Sequence, residues 1–251
     1  MYLIVTRSFP PEIGGMQNLM WGLTNNLSKN YMIKVFADYY EGHKNFDEQV
    51  SFSIERVGGI KLFRKYRKAQ LINEFIKENK VEGIIADHWK SLELIKTNKK
   101  KICLIHGKEI NHKKGTNLNK RVLGVLDSVE IIVANSNYTK NLAIQYGVDE
   151  SKIIVINPGV DPVQELNKKI LAKVDSLLKH KSPRLITVSR FDKRKNHEKV
   201  IMALRNLKQI YPNITYICIG YGDEEKNIKD LVEELDLKEQ VMFFKDISND
   251  L

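Results

Sequence analysis

The same short unit recurs along the chain: an apolar run, a polar loop and then a helical pattern. The first copy runs from Tyr2 through a loop with two prolines and two glycines into a helix that begins near Met16. A late copy begins with the apolar run 185–188 and reaches its helix near Asn196. Runs of this length between helices predict parallel strands joined by crossover helices. The recurrence therefore predicts an α/β fold with doubly wound parallel sheets, in which ligands bind at the carboxyl ends of the strands.

The order of these units predicts two domains. Strands are predicted in the first half at 2–6, 32–37, 51–57, 81–86, 101–105, 130–134 and 153–156, and in the second half at 185–188, 214–219 and 241–244. A lysine-rich segment at 168–181, predicted as a surface helix or linker, separates the halves. We therefore expect a Rossmann-like domain at 1–165, a linker at 166–183 and a partial Rossmann-like domain at 184–251. Because three strands and two helices are about half of a doubly wound domain, the second domain is expected to be truncated, with an unprotected last strand.

The composition narrows the class of protein. The chain has 251 residues and a net charge of +10, and it is 42% hydrophobic and 29% charged, which is typical of a soluble globular protein. No apolar run approaches the roughly 20 residues of a membrane span, and the first strand is too short for a signal-peptide core, so a cytoplasmic location is expected. Cys103 and Cys218 each lie in an apolar run and are interpreted as core residues, without a disulfide or a metal site.

The positive charge limits the partners without choosing among them. It suits a nucleic acid, an anionic membrane surface or an anionic small substrate. A nucleic-acid partner is disfavoured because the cations are scattered and no nucleic-acid-binding module is recognised.

The loop that follows the run 185–188, residues 189–195, is called the cationic loop here. Arg190 and Lys195 flank a turn with two further cations, and the helical pattern begins directly afterwards. The N–H groups and the dipole of such a helix start favour an anion, and a planar guanidinium together with a point-charge ammonium suits a diphosphate. On charge pattern alone, a solvated basic loop is the alternative.

Glycines and histidines occupy other predicted strand ends. Gly14 and Gly15 allow a backbone to approach a ligand closely, although a simple turn explains this loop equally well. The strands that end at Asp87-His88-Trp89 and at His106 are expected to bring two histidines to the same edge of the sheet. A lone histidine is more often a structural residue, but the position of His106 beside Gly107 and an acidic neighbour favours a role in a site.

Residues 61–68, called the basic-aromatic segment here, mix five cations with Leu62, Phe63 and Tyr66. Basic residues interleaved with aromatic ones at the start of a helix are able to lie on an anionic membrane. Because the apolar positions continue into a core-facing stripe, a solvated helix face is the favoured interpretation. The segment gives a slight preference for a membrane-associated acceptor.

Six segments, in this order and spacing, are similar to the motifs of one family: Phe9-Pro-Pro-Glu-Ile-Gly-Gly-Met16, His106-Gly-Lys-Glu109, Val133-Ala-Asn-Ser136 with Thr139, Asn157-Pro-Gly-Val-Asp161, Ser189-Arg-Phe-Asp-Lys-Arg-Lys195 and Ile219-Gly-Tyr-Gly-Asp223. Together they resemble the GT-B retaining glycosyltransferases of family 4, the group 1 glycosyltransferases. The resemblance covers nearly the whole chain. The sequence departs from the family pattern where Asn157 precedes Pro158, and where Ser189 and Asn196 replace glycines.

The resemblance implies a metal-independent hexosyltransferase without a cofactor, in cell-envelope polysaccharide biosynthesis, whose carbohydrate or lipid-linked acceptor binds the first domain. It also implies a cytoplasmic protein in peripheral contact with the inner face of the membrane. Arg190 and Lys195 would hold the diphosphate of a UDP-, GDP- or ADP-sugar and stabilise the charge on the leaving group. His106 would lie by the sugar near the acceptor. The other residues implied to contact the donor are Gly14, Gly15, Glu109, Ser189, Gly220 and Gly222, the last two by shaping the nucleoside pocket.

The family's second signature, two glutamates in the pattern E-x7-E with G-F-G between them, has no match before Leu251. We therefore expect the 251-residue chain to transfer no sugar by itself. Two alternatives remain: a non-catalytic remnant that binds nucleotide sugar, and an NDP-sugar epimerase, which shares the two-domain architecture and needs carboxylates and histidines for proton abstraction. The base and sugar of the donor remain open at this point.

Overall fold

The computed structural model describes residues 1–160 and 167–245 and divides the chain into two compact units, Met1–Pro162 and Val163–Leu251. The domain bounds expected from the sequence, with a linker at 166–183, stay predictions. Asp161, which ends the motif that begins at Asn157, lies outside the described residues, as does everything after Lys245.

The first unit is built on a sheet of seven parallel strands. The strands are β1 (Tyr2–Val5), β2 (Ile33–Asp38), β3 (Ser53–Val57), β4 (Gly83–Ala86), β5 (Lys100–Ile105), β6 (Ile131–Ala134) and β7 (Ile153–Val155). Their order across the sheet is β3-β2-β1-β4-β5-β6-β7. The order therefore reverses between β1 and β4, which is where open α/β sheets bind ligands.

Helices cover both faces of this sheet, which explains why its central strands are apolar at every position. The helices are α1 (Gly15–Ser28), α2 (His43–Asp47), α3 (Lys61–Glu78), α4 (Trp89–Leu92), α5 (Asn117–Asp127) and α6 (Asn137–Gln145). Leu3 and Val5 pack into one apolar cluster, together with Ile72 of α3, whereas Ile4 packs into the opposite cluster with Met20 of α1. Successive strand residues point to opposite faces, so a strand covered on both sides lacks polar positions.

The second unit contains a sheet of three parallel strands among its described residues. Its elements are α7 (Lys168–Leu177), β8 (Arg184–Val188), α8 (His197–Ile210), β9 (Thr215–Ile219), α9 (Glu225–Glu234) and β10 (Val241–Phe244), and the strand order is β10-β9-β8. Its core joins side chains from the loop after β8, from both helices that cross over between strands, and from β9: Phe191, Ile201, Leu204, Tyr216, Cys218 and Ile228.

The predicted α/β class with parallel sheets in two parts is confirmed. The lysine-rich segment contains the helix α7, and Cys103 and Cys218 are both fully buried, as expected. Two short helices were not predicted: α2 lies in the expected polar loop at 38–49, and α4 follows β4 directly. Helices of five and four residues are too short to show an apolar period. The basic-aromatic segment is itself the first two turns of α3.

Across residues 1–160 and 167–245, no helix has both the length and the apolar character that crossing a bilayer requires.

Candidate functional site

The nine residues predicted for a site lie at two strand edges, one in each unit. Five of them surround the carboxyl ends of β8 and β9 in the second unit: Ser189, Arg190, Lys195, Gly220 and Gly222. The other four lie at the carboxyl ends of β1 and β5 in the first unit: Gly14, Gly15, His106 and Glu109.

The cationic loop carries its charges in solvent and one aromatic side chain in the core of the second unit. Phe191 is 1% exposed, and its ring lies edge-on to that of His197 with the centroids 4.9 Å apart. Arg190 and Lys195 are exposed, and Lys193–Lys195 form a single 3-10 turn before α8. The buried ring anchors the loop, so the cations are held at the carboxyl end of β8.

The turn at residues 220–222, called the glycine turn here, supports the cationic loop through the backbone. Three backbone hydrogen bonds of 2.9 to 3.0 Å join the cationic loop to the glycine turn and the residues that flank it: the amides of Ser189 and Phe191 donate to the carbonyls of Ile219 and Tyr221, and the amide of Glu224 donates to the carbonyl of Phe191. A Cβ at Gly220 would overlap the carbonyl oxygen of Ser189, and a Cβ at Gly222 would overlap the backbone of Phe191. The two glycines therefore permit the close backbone approach that fixes the cationic loop. Their implied role in shaping a nucleoside pocket stays a prediction.

Two of the loop's cations share one carboxylate. Nη2 of Arg190 lies 3.7 Å from Oδ2 of Asp192, and Nη2 of Arg194 lies 3.6 Å from the same oxygen. Exposed pairs of this kind are worth about 0–1 kcal/mol, so an incoming anion displaces Asp192 from Arg190 at little cost. Lys195 has no ion pair within the described part of the chain. Arg190 and Lys195 are thus both available to an anion, and their roles stay predictions.

His197, the first residue of α8, is a member of this site that the sequence analysis missed. It is 2% exposed, and its Nε2 lies 3.4 Å from the hydroxyl oxygen of Ser189. Burial lowers the pKa of His197, while the negative charge of Asp192 opposes that shift. A neutral histidine here joins the start of the cationic loop to the start of α8. The sequence shows that His197 follows the cationic turn, but it does not indicate that the side chain is buried.

Asp87 joins the ends of β1 and β4 at the point where the strand order reverses. Its carboxylate accepts hydrogen bonds from the hydroxyl of Thr6 at 2.9 Å, the amide of Arg7 at 3.0 Å and the hydroxyl of Ser91 at 2.7 Å. Asp87 is 2% exposed, and three donors offset the cost of burying its polar oxygens. Its role in the described residues is to fix the two loops that leave this edge.

The loop from β1 to α1 is anchored at one end and open at the other. Phe9, 2% exposed, packs edge-on against three further aromatic rings, those of Trp21, Phe46 and Phe52. A Cβ at Gly15, where α1 begins, would meet no atom within 4 Å, whereas a Cβ at Gly14 would overlap the side chain of Gln17. The backbone at Gly15 is therefore open to an approaching ligand. The implied contact of both glycines with the donor stays a prediction.

The two strand ends that carry histidines meet at one edge, as the sequence predicted. Nε2 of His106 lies 3.1 Å from the carbonyl oxygen of Asp87 and therefore donates, which leaves Nδ1 as the acceptor of the neutral ring. One carboxylate oxygen of Glu109 accepts from the amides of His106 and Gly107. This oxygen stabilises the turn. Only the other carboxylate oxygen of Glu109 is therefore free to contact a nucleotide-sugar donor. The implied ligand contacts of His106 and Glu109 stay predictions.

His88, at the end of β4, has its tautomer fixed by the backbone. The ring is 8% exposed, and its Nδ1 accepts from the amide of Lys90 at 2.9 Å, so Nε2 carries the hydrogen. Burial lowers the pKa of His88 to about 3, reinforced by the positive charges of Arg7 and Lys90. His88 is therefore a neutral hydrogen-bond donor at neutral pH.

This shift makes the first unit sensitive to acid. Unfolded histidine titrates near its ordinary pKa of 6.5 and His88 in the fold near 3, so the unfolded chain takes up the proton first as the pH falls. The free energy of unfolding should fall by about 2 kcal/mol between pH 7 and about pH 5 because of this group. Trp21 and Trp89, the two tryptophans of the chain, both lie in this unit, so urea unfolding followed by tryptophan fluorescence measures it. His88→Gln should lose that part of the pH dependence, and equal slopes in the two proteins would contradict the assignment.

Comparisons with known proteins agree with the six motifs. The family model described as Glycosyltransferase Family 4 matches residues 13–164, which is more than half of the chain, and the model described as Glycosyl transferases group 1 matches residues 168–251. One relative is a GDP-mannose-dependent alpha-(1-6)-phosphatidylinositol monomannoside mannosyltransferase from Mycolicibacterium smegmatis. It is 19% identical over 98% of this chain and 67% of the relative.

Two solved structures place the fold. Anabaena HepE in complex with UDP has a TM-score of 0.78 and is 16% identical, over 99% of this chain and 70% of that one, and HepE has also been solved with UDP-glucose. A UDP-GlcNAc 2-epimerase from Methanocaldococcus jannaschii has a TM-score of 0.62 at 13% identity, over 99% of this chain and 74% of that one. At these identities the likeness shows the fold alone. Together with the two family models, it shows that the chain belongs to Glycosyltransferase Family 4, the GT-B glycosyltransferases of the group 1 type.

Proposed function

We propose that the protein transfers a sugar from a nucleotide-diphosphate sugar to a carbohydrate or lipid-linked acceptor, with retention of anomeric configuration and without a metal ion. The observation that supports this most is the cationic loop, which the glycine turn and the buried Phe191 fix at the carboxyl end of β8. A rigid loop with two available cations stabilises negative charge without reorganising during the reaction.

The leaving group of such a reaction is a nucleoside diphosphate, on which charge accumulates as the sugar departs. The guanidinium of Arg190 binds two phosphate oxygens in a planar fork, and the ammonium of Lys195 adds a second positive charge. Two protein cations then neutralise the diphosphate in the way that a divalent ion does elsewhere. UDP-, GDP- and ADP-sugars share this diphosphate, so the proposal covers all three. HepE has been solved with UDP-glucose, and the relative from Mycolicibacterium smegmatis is named as GDP-mannose-dependent, which supports such donors.

The acceptor side is proposed for the first unit. His106, which presents Nδ1 as an acceptor, and the open backbone of Gly15 follow two strands of one sheet at their carboxyl ends, an arrangement suited to sugar hydroxyl groups. The relative from Mycolicibacterium smegmatis is named for a lipid acceptor, which supports an acceptor of the cell envelope.

Transfer of labelled sugar tests the proposal. UDP-glucose, UDP-galactose, GDP-mannose and ADP-glucose are each supplied with lipid and carbohydrate acceptor fractions to the longest protein that contains this chain. We expect label in an acceptor, an unchanged rate in EDTA, and a product whose anomeric configuration by NMR matches the donor. Donor binding without any transfer would favour the non-catalytic alternative, and release of an epimerised donor would favour the epimerase. A rate lost in EDTA and restored by Mg²⁺ would contradict metal independence.

Peripheral contact with an anionic membrane is part of the proposal. The side chains at the start of α3 are exposed: Ile60 by 72%, Leu62 by 69%, Phe63 by 61% and Tyr66 by 54%. Cations alternate with them, and Nζ of Lys65 lies 4.8 Å from the ring centre of Tyr66. An exposed apolar surface among lysines and arginines is suited to the interface of an anionic bilayer.

Cosedimentation with lipid vesicles measures this contact. The protein should bind phosphatidylcholine vesicles that contain phosphatidylglycerol, and it should dissociate as salt is added. Leu62→Ser and Phe63→Ser should each weaken binding by about ten- to hundredfold, since burial of one such side chain is worth about 1.5–3 kcal/mol. Ile210→Ser, at a site 69% exposed in the second unit, is the control and should bind like the wild type. Binding that is unaffected in the α3 variants would refute the contact.

A further inference from the structure

Two exposed cations beside His88, Arg7 and Lys90, have no ion pair among the described residues. Arg7 and Lys90 are both exposed, and within residues 1–160 and 167–245 neither approaches a carboxylate within 4.0 Å. Burial is the main cause of the lowered pKa of His88 and of Lys90; the positive charges of Arg7 and Lys90 lower the pKa of His88 further, and Arg7 does the same to Lys90, whereas Glu93 opposes the shift in Lys90. No carboxylate among the described residues therefore forms a direct ion pair with either cation.

Backbone hydrogen bonds fix the main-chain positions of Arg7 and Lys90 relative to His88. Strands β1 and β4 pair with Val5 opposite Ala86, so Arg7 and His88, two residues further along each strand, leave the sheet at the same level. The amide of Arg7 donates to the side chain of Asp87, and the amide of Lys90 donates to the ring of His88. The three residues therefore belong to one fixed substructure at the point where the strand order reverses.

The nearby acids are already engaged. The carboxylate of Asp87 is buried and accepts three hydrogen bonds at the base of the loops. Glu93 accepts from the guanidinium of Arg121 at 2.6 and 3.0 Å, and it also lies 3.8 Å from Nζ of Lys65. Nζ of Lys90 lies 5.2 Å from the ring centre of Trp89, a contact that leaves its N–H groups free to bind an anion. Arg7 and Lys90 are therefore both available to an external anion.

His88 adds a directional contact to the two charges. Its Nδ1 is occupied by the amide of Lys90, and its Nε2–H has no hydrogen-bond partner among the described residues. A neutral ring that is nine-tenths buried and keeps a free donor is suited to bind an oxygen of a ligand.

We propose that Arg7, His88 and Lys90 form a site for a phosphate group carried by the acceptor. Two full positive charges and one N–H donor match the charge and the several oxygens of a phosphate monoester or diester, whereas a single arginine satisfies a carboxylate. The inference rests on the proposed transferase function, because it gives that reaction's acceptor a chemical class. The site lies in the first unit, at a different sheet edge from the cationic loop.

The test follows the ring nitrogen signals of the histidines by ¹H–¹⁵N NMR while inorganic phosphate is added. Phosphate should shift the Nε2–H signal of His88, and acetate at the same ionic strength should not. Arg7→Gln/Lys90→Gln should bind phosphate at least about tenfold more weakly. The control Lys29→Gln/Lys80→Gln removes the same charge at the opposite edge of the sheet and should bind like the wild type. Tryptophan fluorescence confirms that both proteins are folded.

Binding of UDP separates this inference from the proposed function. Arg7→Gln/Lys90→Gln should bind UDP with wild-type affinity, since the donor diphosphate is assigned to Arg190 and Lys195. Wild-type phosphate affinity in the Arg7/Lys90 variant, an equal loss in the control pair, or an equal response to acetate would each overturn the phosphate site. A parallel loss of UDP binding would assign the site to the donor and overturn the acceptor assignment.

Discussion

Arg190→Ala/Lys195→Ala is expected to bind UDP and GDP about 10²–10⁴-fold more weakly than the wild type. Each residue supplies one charge-assisted contact to the diphosphate, and such contacts are worth about 1.5–3 kcal/mol, so two contribute about 3–6 kcal/mol. Both side chains lie in solvent on a loop whose shape is set by Phe191 and the glycine turn, so their removal leaves the fold intact. Isothermal titration calorimetry measures the affinities.

Neighbouring cations of the same loop provide the matched control. Lys193→Ala removes an equal charge in the same turn and should reduce the affinity by no more than a few-fold, as expected for a screened surface charge. If Lys193→Ala lowers the nucleotide affinity as much as Lys195→Ala does, the loop binds by general electrostatic attraction and not through a specific site. Unchanged affinity in Arg190→Ala/Lys195→Ala would refute the assignment of both residues.

Gly220→Ala is expected to displace the cationic loop and to destabilise the second unit. Gly220 has φ of 137°, which a residue with a side chain adopts only under strain of about 1–3 kcal/mol. The new Cβ would also overlap the carbonyl oxygen of Ser189, a backbone atom with no rotamer to change, which adds about 1–3 kcal/mol. The second unit should therefore lose about 2–6 kcal/mol of unfolding free energy, and UDP binding should weaken with it.

Hydrogen exchange measures this loss because it resolves the second unit, in which no tryptophan lies. Amides of β8 and β9 should exchange faster in Gly220→Ala, while those of β1 and β4 keep their wild-type rates. Gly22→Ala, inside α1 with no atom within 4 Å of the added Cβ, is the control and should be neutral or slightly stabilising. Wild-type exchange of β8 in Gly220→Ala would contradict the close approach of the two segments.

The sequence predicted the sheets well because a parallel strand that is buried on both faces is a continuous apolar run. Leu3, Ile4 and Val5 are all fully buried, so the first strand is apolar at each position and ends abruptly where the chain leaves the sheet. The sequence therefore predicted where the strands end and which residues follow them. The short helices α2 and α4 were not, because one turn of helix leaves no period in the sequence.

The sequence predicted where the residues of the candidate site lie, but not which atoms they contact. The resemblance implies that Gly220 and Gly222 shape a nucleoside pocket, which stays a prediction, but it did not indicate that both lie against the backbone of the cationic loop. Likewise, the sequence brought His88 and His106 to one edge, but their tautomers follow from the amide of Lys90 and the carbonyl of Asp87. Such contacts depend on residues distant in the sequence, which local patterns do not encode.

Hydrogen–deuterium exchange with and without nucleotide sugars tests the central proposal most directly, namely that the cationic loop holds the donor diphosphate. UDP-glucose, GDP-mannose and ADP-glucose are each added to the protein, and protection is mapped by peptide. At least one donor should protect residues 189–196 and 220–224, and that protection should vanish in Arg190→Ala/Lys195→Ala. If none of the three donors protects these residues, or if the double variant is protected like the wild type, the account is wrong.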